Sequence, residues 1–235
     1  MRYQLYYWPS IQGRGEYVRL ALEEAGADYV DVARGGERGM AAMTKLLQSK
    51  QTPPFAPPFL KAGSLMIAQV AAILLYLGPR HGLAPQSEAG RLWLHQLQLT
   101  IADLVGEIHD THHPLGVTLY YEDQRAEAKI RSAEFWKQRV PKFLGYFERV
   151  LAEAGGPYVT GRRVSYVDLS LFQIVDGLRY AFPRRMQHFE RKIPGLVELH
   201  DRVKARPNIA AYLASDRRIP FNEDGIFRHY KRLDK

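Results

Sequence analysis

The spacing of apolar residues in the first third of the chain predicts alternating strands and helices. Residues 3–8, YQLYYW, are a β-prone run with the two-residue period of a strand. Residues 14–25 place apolar side chains at helical spacing, and Gly26 follows as a helix-ending residue. Residues 29–33 are again β-prone. The chain is therefore expected to begin with a strand, a helix and a second strand.

A second pattern lies in residues 57–78, PPFLKAGSLMIAQVAAILLYLG. Residues 59–61 and 65–67 read as two short strands joined by a glycine-containing turn, which predicts a hairpin. From Ala68 the apolar period changes to that of a helix, and Gly78 with the proline after it is expected to end that helix. The order here is strand, strand, helix.

Beyond residue 80 the pattern is helical almost throughout. Residues 81–88 have the composition of a linker. We predict an α/β domain over residues 1–80 and an all-helical domain with a C-terminal extension over 89–235. The helices are expected near 87–113, 122–153, 166–182, 192–205 and 207–214.

One of these helices carries a capping pattern at its start. Ser165 is followed three residues later by Asp168, directly before a strongly apolar run. This spacing allows each side chain to bond the other residue's backbone N–H, which is a capping box. We expect the two residues to stabilise the fold and to take no part in chemistry.

Composition restricts the chemistry that the chain can perform. It contains no cysteine, which excludes disulfides, thiolate metal sites and a cysteine nucleophile. No apolar run reaches the roughly 18 residues of a spanning helix, and the opening MRYQLYYWPS lacks the apolar core of a signal peptide. We expect a cytoplasmic protein that does not associate with membranes.

The positive charge is concentrated near the C-terminus. The formal net charge is +8, and residues 184–235 hold thirteen Lys and Arg against seven Asp and Glu. A basic patch of this kind is compatible with anionic ligands or nucleic acid. The aromatic–basic interleaving of a nucleic-acid-binding module is missing, so we expect a solvated basic surface and no nucleic-acid partner.

The order of elements and the motifs together resemble the cytosolic glutathione S-transferases. The segment 57–78 is similar to the second half of their thioredoxin-like domain: proline, strand, turn, strand, Gln, and a helix ending in Tyr-Leu-Gly. Without cysteine, the chain resembles bacterial-type members that use a tyrosine or a serine. The resemblance implies a thioredoxin-like domain, an all-helical domain and a homodimer.

The same resemblance implies an activity. Glutathione would be the co-substrate, no cofactor would be needed, and the glutathione thiolate would attack a small electrophile. The alternative is a glutathione-transferase-like module that binds ligands or takes part in assembly without catalysis.

Two residues match the glutathione-binding pattern of the family and two depart from it. Pro58 takes the place of the family's cis-proline, and Gln69 that of the residue holding the γ-glutamyl end of glutathione. Pro57 stands where the family provides a backbone N–H, which proline lacks. Val70 replaces the usual Ser or Thr, so only its backbone N–H remains for the glutamyl carboxylate. Both departures are expected to weaken glutathione binding.

Charged residues are expected to complete the glutathione site. Arg14 belongs to a loop similar to the Arg-Gly-Arg loop of the tyrosine-type enzymes, with one inserted residue. Lys45 and Lys50 could bind the glycine end of glutathione as point charges. In the family an acidic residue reaches across the dimer to the glutamyl amine, which implies Asp103, with Glu107 as a competing candidate.

Two residues are candidates for the catalytic hydroxyl. A thiol of pKa about 8.5 is mostly protonated at neutral pH, and a hydroxyl that donates to the sulfur favours the thiolate. Tyr7 lies at the end of the first strand and resembles the activating tyrosine. The inserted residue in the following loop also permits the serine-type arrangement, in which Ser10 is the donor.

A histidine-rich stretch follows the first long helix. His109 and His113 are four residues apart and could share a helical face, as metal ligands do. However, Pro114 ends that helix and no second ligand cluster is present, so we predict no metal site. We expect His109, His113 and Tyr120 to line the electrophile cleft between the two domains.

Overall fold

The computed structural model describes all 235 residues. They form two compact units: Met1–Gln96 with Ala205–Pro220, and Leu97–Lys204 with Phe221–Lys235. This division differs from the predicted domain boundaries, because a segment of the expected helical domain returns to the first unit. Each unit is described by itself below.

The first unit contains a four-stranded sheet and three helices that pack on it. The strands are β1 (Tyr3–Tyr6), β2 (Tyr29–Asp31), β3 (Phe59–Ala62) and β4 (Leu65–Ala68), and the helices are α1 (Gly15–Glu24), α2 (Glu37–Leu47) and α3 (Val70–Arg80). The strand order is β2-β1-β3-β4, with β1 parallel to β2 and antiparallel to β3. The predicted thioredoxin-like order of elements is therefore confirmed.

The two-residue period of β1 sends its side chains to opposite faces of the sheet. Leu5 belongs to a buried cluster with Val18 of α1, and Tyr6 belongs to a separate cluster with Met43 of α2. Tyr7 follows in the same alternation and lies on the α1 side, where its ring meets the loop that precedes α1. The strand therefore sets the direction in which Tyr7 points.

The end of α3 differs from the sequence prediction. Gly78 and Pro79 were expected to end the helix, yet α3 continues through Arg80. The helix ends at Arg80, Gly82 just beyond it has φ of 70°, and the N–H of Leu83 donates to the Gly78 carbonyl at 2.8 Å. This is the hydrogen bond of a Schellman motif, which a glycine just beyond the helix makes possible.

The returning segment is held to α1 by buried charged and polar groups. It contains α10 (Pro207–Leu213). Glu16 of α1 is fully buried and accepts hydrogen bonds from the Tyr212 hydroxyl at 2.7 Å and from Arg218. Arg19, also buried, bonds Glu16 at 3.2 Å. Removing one partner of a buried ion pair typically costs about 3–5 kcal/mol, so this network explains why the segment belongs to the first unit.

The second unit is helical. The helix α4 (Glu88–Asp110) begins in the first unit and continues into the second, and is followed by α5 (Arg125–Glu134), α6 (Val140–Glu153), α7 (Tyr166–Ala181), α8 (Pro183–Phe189) and α9 (Pro194–Lys204). The sequence prediction placed no helix at α8, whose first residue is Pro183. At the first position of a helix, however, proline fits, because that N–H has no acceptor within the helix. No helix combines the length and apolarity needed to cross a membrane.

The predicted single helix over 122–153 is divided by a π-helical turn at Phe135–Arg139. The N–H of Val140 donates to the Phe135 carbonyl five residues earlier. Pro141 follows at once, and proline can neither donate the next hydrogen bond of an α-helix nor avoid the carbonyl four residues back. Proline and π-turns are both common causes of such interruptions.

The predicted capping box at the start of α7 is confirmed. The Asp168 carboxylate accepts hydrogen bonds from the Ser165 backbone N–H at 2.7 Å and from the Ser165 hydroxyl at 2.6 Å. Its other oxygen accepts the N–H of Val159 at 2.9 Å. All three residues are buried, so the box also fixes the loop that leads into the helix.

The C-terminal extension, Phe221–Lys235, belongs to the second unit and packs against its helices. The carbonyl of Ile226 bonds His112 Nε2 at 2.9 Å. Near the end of the chain, the Asp234 carboxylate accepts the backbone N–H groups of Arg184 and Arg185 at 3.0 Å each, at the start of α8. The extension therefore covers α8 and the residues after α4.

Candidate functional site

Three of the predicted site residues lie side by side at one edge of the sheet. Tyr6 of β1 pairs with Phe59 of β3, which pairs in turn with the last residue of β4. Continuing both registers by one residue places Tyr7 opposite Pro58 and Pro58 opposite Gln69. Residues as distant in the chain as Tyr7 and Pro58 are thus brought together by strand pairing.

The Pro57–Pro58 peptide bond is cis, which is the geometry that the sequence suggested. Pro58 is buried and Pro57 is half-buried. Because proline has no N–H, Pro57 offers a ligand only its carbonyl as a backbone hydrogen-bonding group.

The Tyr7 ring packs closely against Gly13, in the loop before α1, and against Gly15, the first residue of α1. A Cβ atom added to Gly13 would lie 2.1 Å from the Tyr7 hydroxyl oxygen, and one added to Gly15 would lie 2.6 Å from the ring. Between them, the backbone N–H of Arg14 donates to the Tyr7 hydroxyl at 2.8 Å. Tyr7 is only 4% exposed, so the loop fixes both the ring and the oxygen.

The surroundings of Tyr7 shift the pKa of its hydroxyl in opposite directions. Burial raises the pKa of its hydroxyl above the usual value, whereas the Arg14 N–H and the positive charges of Arg14 and Arg19 lower it. The Arg19 guanidinium carbon lies 5.7 Å from the centre of the Tyr7 ring. A neutral tyrosine whose oxygen accepts one hydrogen bond keeps its proton for donation. Tyr7 is therefore equipped to donate a hydrogen bond to an anion.

The two neighbouring hydroxyls have different environments. Ser10 lies in an exposed turn after β1. Tyr6 points to the α2 side, where it stacks on Phe59 with ring centres 4.7 Å apart and donates to the Gln4 side chain at 2.9 Å. Of the three hydroxyls, only that of Tyr7 is enclosed by the glycine loop.

Sequence reasoning did not identify Gly13 and Gly15 as site residues. They touch no ligand themselves, yet both must lack a side chain for Tyr7 to occupy its position. The sequence feature that could have revealed them is the run Gly13-Arg14-Gly15 ahead of a helix, of which the sequence analysis considered only Arg14 as a site residue.

The start of α3 lies next to Tyr7 and Pro58 at the same end of the sheet. Gln69 is exposed and has φ of 68° and ψ of 125°, which is uncommon for a residue other than glycine. Backbone strain of this kind tends to cluster at functional sites. Val70 is the first helical residue, and the N–H groups of the first turn have no acceptor within the helix. With the helix dipole, they favour a bound carboxylate.

The predicted basic residues are exposed. Arg14 directs its backbone to Tyr7, and its side chain is accessible to solvent. Lys45 lies in the last turn of α2, and Lys50 follows in the loop that leads toward Pro57. All three remain able to bind an anion.

The two acidic candidates of α4 have different roles. Glu107 is bound within the second unit, where the Arg139 guanidinium donates to both of its oxygens at 2.6–2.9 Å. Asp103 is exposed. The structure therefore leaves Asp103 better placed than Glu107 to meet a group outside the chain.

The histidine-rich stretch forms a stack in the second unit. The rings of His109 and His113 are parallel within 21°, with centres 4.7 Å apart. Burial lowers the pKa of His113, and it lowers that of His112 to about 3, so both rings are neutral at physiological pH. Tyr120 is 75% exposed. No group of three His, Asp or Glu residues is arranged to hold a metal ion.

Comparison with known proteins shows similarity to glutathione S-transferases along most of the chain. A sequence model of the glutathione S-transferase C-terminal domain matches residues 109–216. A glutathione S-transferase of Plasmodium falciparum is 26% identical to the chain, covering 90% of it and 94% of the relative. Glutathione S-transferase P 1 of Xenopus laevis is 28% identical, with coverage of 92% and 93%.

Among solved structures, the Pi-class glutathione S-transferase of Onchocerca volvulus superposes with a TM-score of 0.70 at 25% identity, covering 91% of this chain and 92% of that one. The chain is therefore similar to glutathione S-transferases over most of its length. These similarities confirm the predicted fold class: a thioredoxin-like N-terminal domain and an all-helical C-terminal domain.

Proposed function

We propose that the protein joins the thiolate of reduced glutathione to a small electrophile, with Tyr7 as the hydroxyl that stabilises the thiolate. The observation that carries this proposal is the enclosed Tyr7 hydroxyl, which accepts the Arg14 N–H and retains its own proton. Lowering a thiol pKa by about 2 units needs about 2.7 kcal/mol of preferential stabilisation of the charged form. A hydrogen bond to a charged group supplies about 1.5–3 kcal/mol.

Glutathione would extend along the sheet edge from Tyr7 to the start of α3. Its cysteinyl part would lie beside Pro57 and Pro58, and its glutamyl carboxylate would meet Gln69 and the N–H of Val70. Arg14 and Lys45 would supply positive charge for the glycine end. Strand register supports this path, since it aligns Tyr7, Pro58 and Gln69 in one row.

For the electrophile, His109, His113 and Tyr120 remain the proposed contacts. Two of the three rings are stacked and buried or half-buried, and the third is exposed. Imidazole and phenol rings offer apolar faces together with hydrogen-bonding edges, which suits a small aromatic electrophile.

We further propose a homodimer in which Asp103 of one chain meets glutathione bound to the other. On α4, Leu92, Gln96, Leu99 and Asp103 follow helical spacing and form one exposed stripe. Leu92 is 59% exposed and Leu99 is 48% exposed, which is unusual for leucines on one helix face, and Phe55 is 94% exposed. Large apolar side chains exposed along one helix face are typical of interfaces.

The non-catalytic alternative also has support. Pro57 removes one backbone donor from the site and Val70 removes one hydroxyl, and both changes weaken the binding of glutathione rather than the activation of its thiol. A chain retained only for ligand binding or assembly would tolerate such losses.

Calorimetric titration with glutathione and with S-hexylglutathione, followed by an assay with 1-chloro-2,4-dinitrobenzene, tests the proposal. We expect both ligands to bind with millimolar or tighter Kd, and the thiol conjugate to form at a rate well above the uncatalysed one. Binding without conjugation would favour the non-catalytic alternative. Absence of binding by either ligand would contradict the glutathione site itself.

A further inference from the structure

A basic cavity lies in the second unit, where α8 meets the interrupted helix. Its volume is about 640 Å³, and its lining comes from α8, the π-helical turn, the loop after α8 and the end of the extension. Trp136 and Phe189 contribute aromatic surface, and the charged side chains that line it are all basic. The proposed glutathione chemistry makes no use of this cavity.

The aromatic wall is built by the π-helical turn. Trp136 lies in the turn and meets Phe189 edge-on, with ring centres 6.1 Å apart. It also packs edge-on against Phe182 at 5.3 Å. π-helical turns are rare and are frequently found at functional sites. Here the turn carries the indole that lines the cavity.

The cations of the cavity come mostly from one short segment. Arg184, Arg185 and Lys192 line it together with Lys235. The Arg185 guanidinium carbon lies 5.8 Å from the Trp136 ring centre. This cluster accounts for much of the basic excess that the sequence showed after residue 183, and it gathers the charge around a cavity.

Two buried donors at this cavity have no hydrogen-bond partner. They are the indole Nε1 of Trp136 and the Nε of Arg185. Trp136 is only 7% exposed, and a buried donor left without an acceptor costs about 1–3 kcal/mol. Burial also lowers the pKa of Arg185, against the opposing effect of Asp234. A ligand that brings negative charge to the cavity would offset the lost solvation of the Arg185 guanidinium.

We propose that this cavity binds a small aromatic molecule carrying a phosphate, sulfate or carboxylate group. The ring would pack on Trp136 and Phe189, while the anionic group would be held by Arg185 and Lys192. A guanidinium offers paired donors that match such oxyanions. The aromatic wall explains why the ligand needs an apolar body as well as a charge.

Calorimetric titration of the full chain with 1-naphthyl phosphate tests this site. We expect one binding event per chain that persists in saturating S-hexylglutathione, and at least tenfold weaker binding of 1-naphthol and of inorganic phosphate. 1-Naphthyl sulfate and 1-naphthoate identify which oxyanion is preferred. Displacement by S-hexylglutathione, or equal binding of inorganic phosphate, would overturn the proposal.

Variants locate the binding event. Arg185→Met keeps most of the apolar stem and should weaken 1-naphthyl phosphate binding about tenfold, and Lys192→Met, at an exposed position, should weaken it about threefold. Arg149→Met removes the same charge from an exposed position outside the cavity lining and should leave binding unchanged. Equal weakening in all three variants would mean diffuse attraction to a basic surface and would contradict a defined site.

Discussion

The sheet-edge site around Tyr7 and the start of α7 around Asp168 both bury an oxygen that accepts nearby N–H groups. At α7, the Asp168 carboxylate accepts three hydrogen bonds from two neighbours, and all of these partners belong to the chain. At the sheet edge, the Tyr7 oxygen accepts one N–H and the hydroxyl still has a proton to give. A buried polar group whose bonds are completed within the chain supports the fold. A buried polar group that keeps an unused hydrogen-bond donor can bind a ligand.

Breaking the Asp168 arrangement is expected to have the largest effect, on stability alone. Asp168→Ala removes three hydrogen bonds and leaves the buried N–H groups of Ser165 and Val159 unpaired, which should cost about 3 kcal/mol. For a chain of this size the Tm should fall by roughly 10 °C. Ser165→Ala removes only the hydroxyl and should cost about 1 kcal/mol. Thermal unfolding measures both losses. An unchanged Tm, or a changed glutathione Kd below the melting range, would contradict a purely structural role.

Displacing the Tyr7 ring is expected to reduce activity strongly. Gly15→Ala puts a methyl group 2.6 Å from the ring, which must move. Misplacing a reacting group by about 1 Å can cost 100-fold in rate, so kcat/KM toward 1-chloro-2,4-dinitrobenzene should fall by about that factor. Gly145→Ala is the matched control, because nothing lies within 4 Å of the added Cβ atom. Full activity in Gly15→Ala would show that close packing of Gly15 against the ring does not position the Tyr7 hydroxyl for catalysis.

The raised pKa of Asp168 predicts how its contribution changes with pH. Burial raises the pKa of this carboxyl from 3.8 to about 6 in the folded protein. The folded state then binds the proton more tightly than the unfolded state, so the stabilisation due to Asp168 falls as pH rises from about 4 to about 6. Asp168→Asn cannot titrate. The stability of the wild type relative to this variant, from urea unfolding at each pH, should therefore decrease over that range. A difference that stays constant or increases would contradict the raised pKa.

Restoring a hydroxyl at the start of α3 should have the smallest effect. Val70→Thr would return the side chain that the family uses for the glutamyl carboxylate. One net hydrogen bond is worth about 0.5–1.5 kcal/mol, so glutathione should bind about threefold to tenfold more tightly by calorimetry. The Ala72→Ser variant, two residues further along α3, serves as a control and should bind like the wild type. Unchanged or weaker binding by Val70→Thr would place the carboxylate elsewhere.

Local patterns predicted most of the strands and helices of the first unit, whereas Tyr7, Pro58 and Gln69 were assigned through the resemblance to glutathione S-transferases. Each strand carries its own two-residue period, and the hairpin turn fixes the register between β3 and β4. The capping box of α7 was equally predictable, since both partners lie within one turn of helix. Features determined by neighbouring residues can be derived from the sequence alone.

Features determined by distant residues could not be derived in this way. The return of residues 205–220 to the first unit depends on Glu16 meeting Tyr212 and Arg218, nearly two hundred positions away. The helix α8 was missed because its first residue is Pro183, whose suitability depends on where the helix begins. The need for glycine at positions 13 and 15 becomes visible only when the position of the Tyr7 ring is known.

The most direct test of the central claim is the pKa of the thiol of bound glutathione, read from thiolate absorbance in Tyr7→Phe and in Ser10→Ala. If Tyr7 is the donor, Tyr7→Phe should bind glutathione almost as well as the wild type while the thiol pKa rises, and kcat/KM should fall by roughly tenfold or more, since each 1.36 kcal/mol is a factor of ten. Ser10→Ala should keep the low thiol pKa. A low pKa in Tyr7→Phe together with a raised pKa in Ser10→Ala would contradict the account and make Ser10 the activating residue.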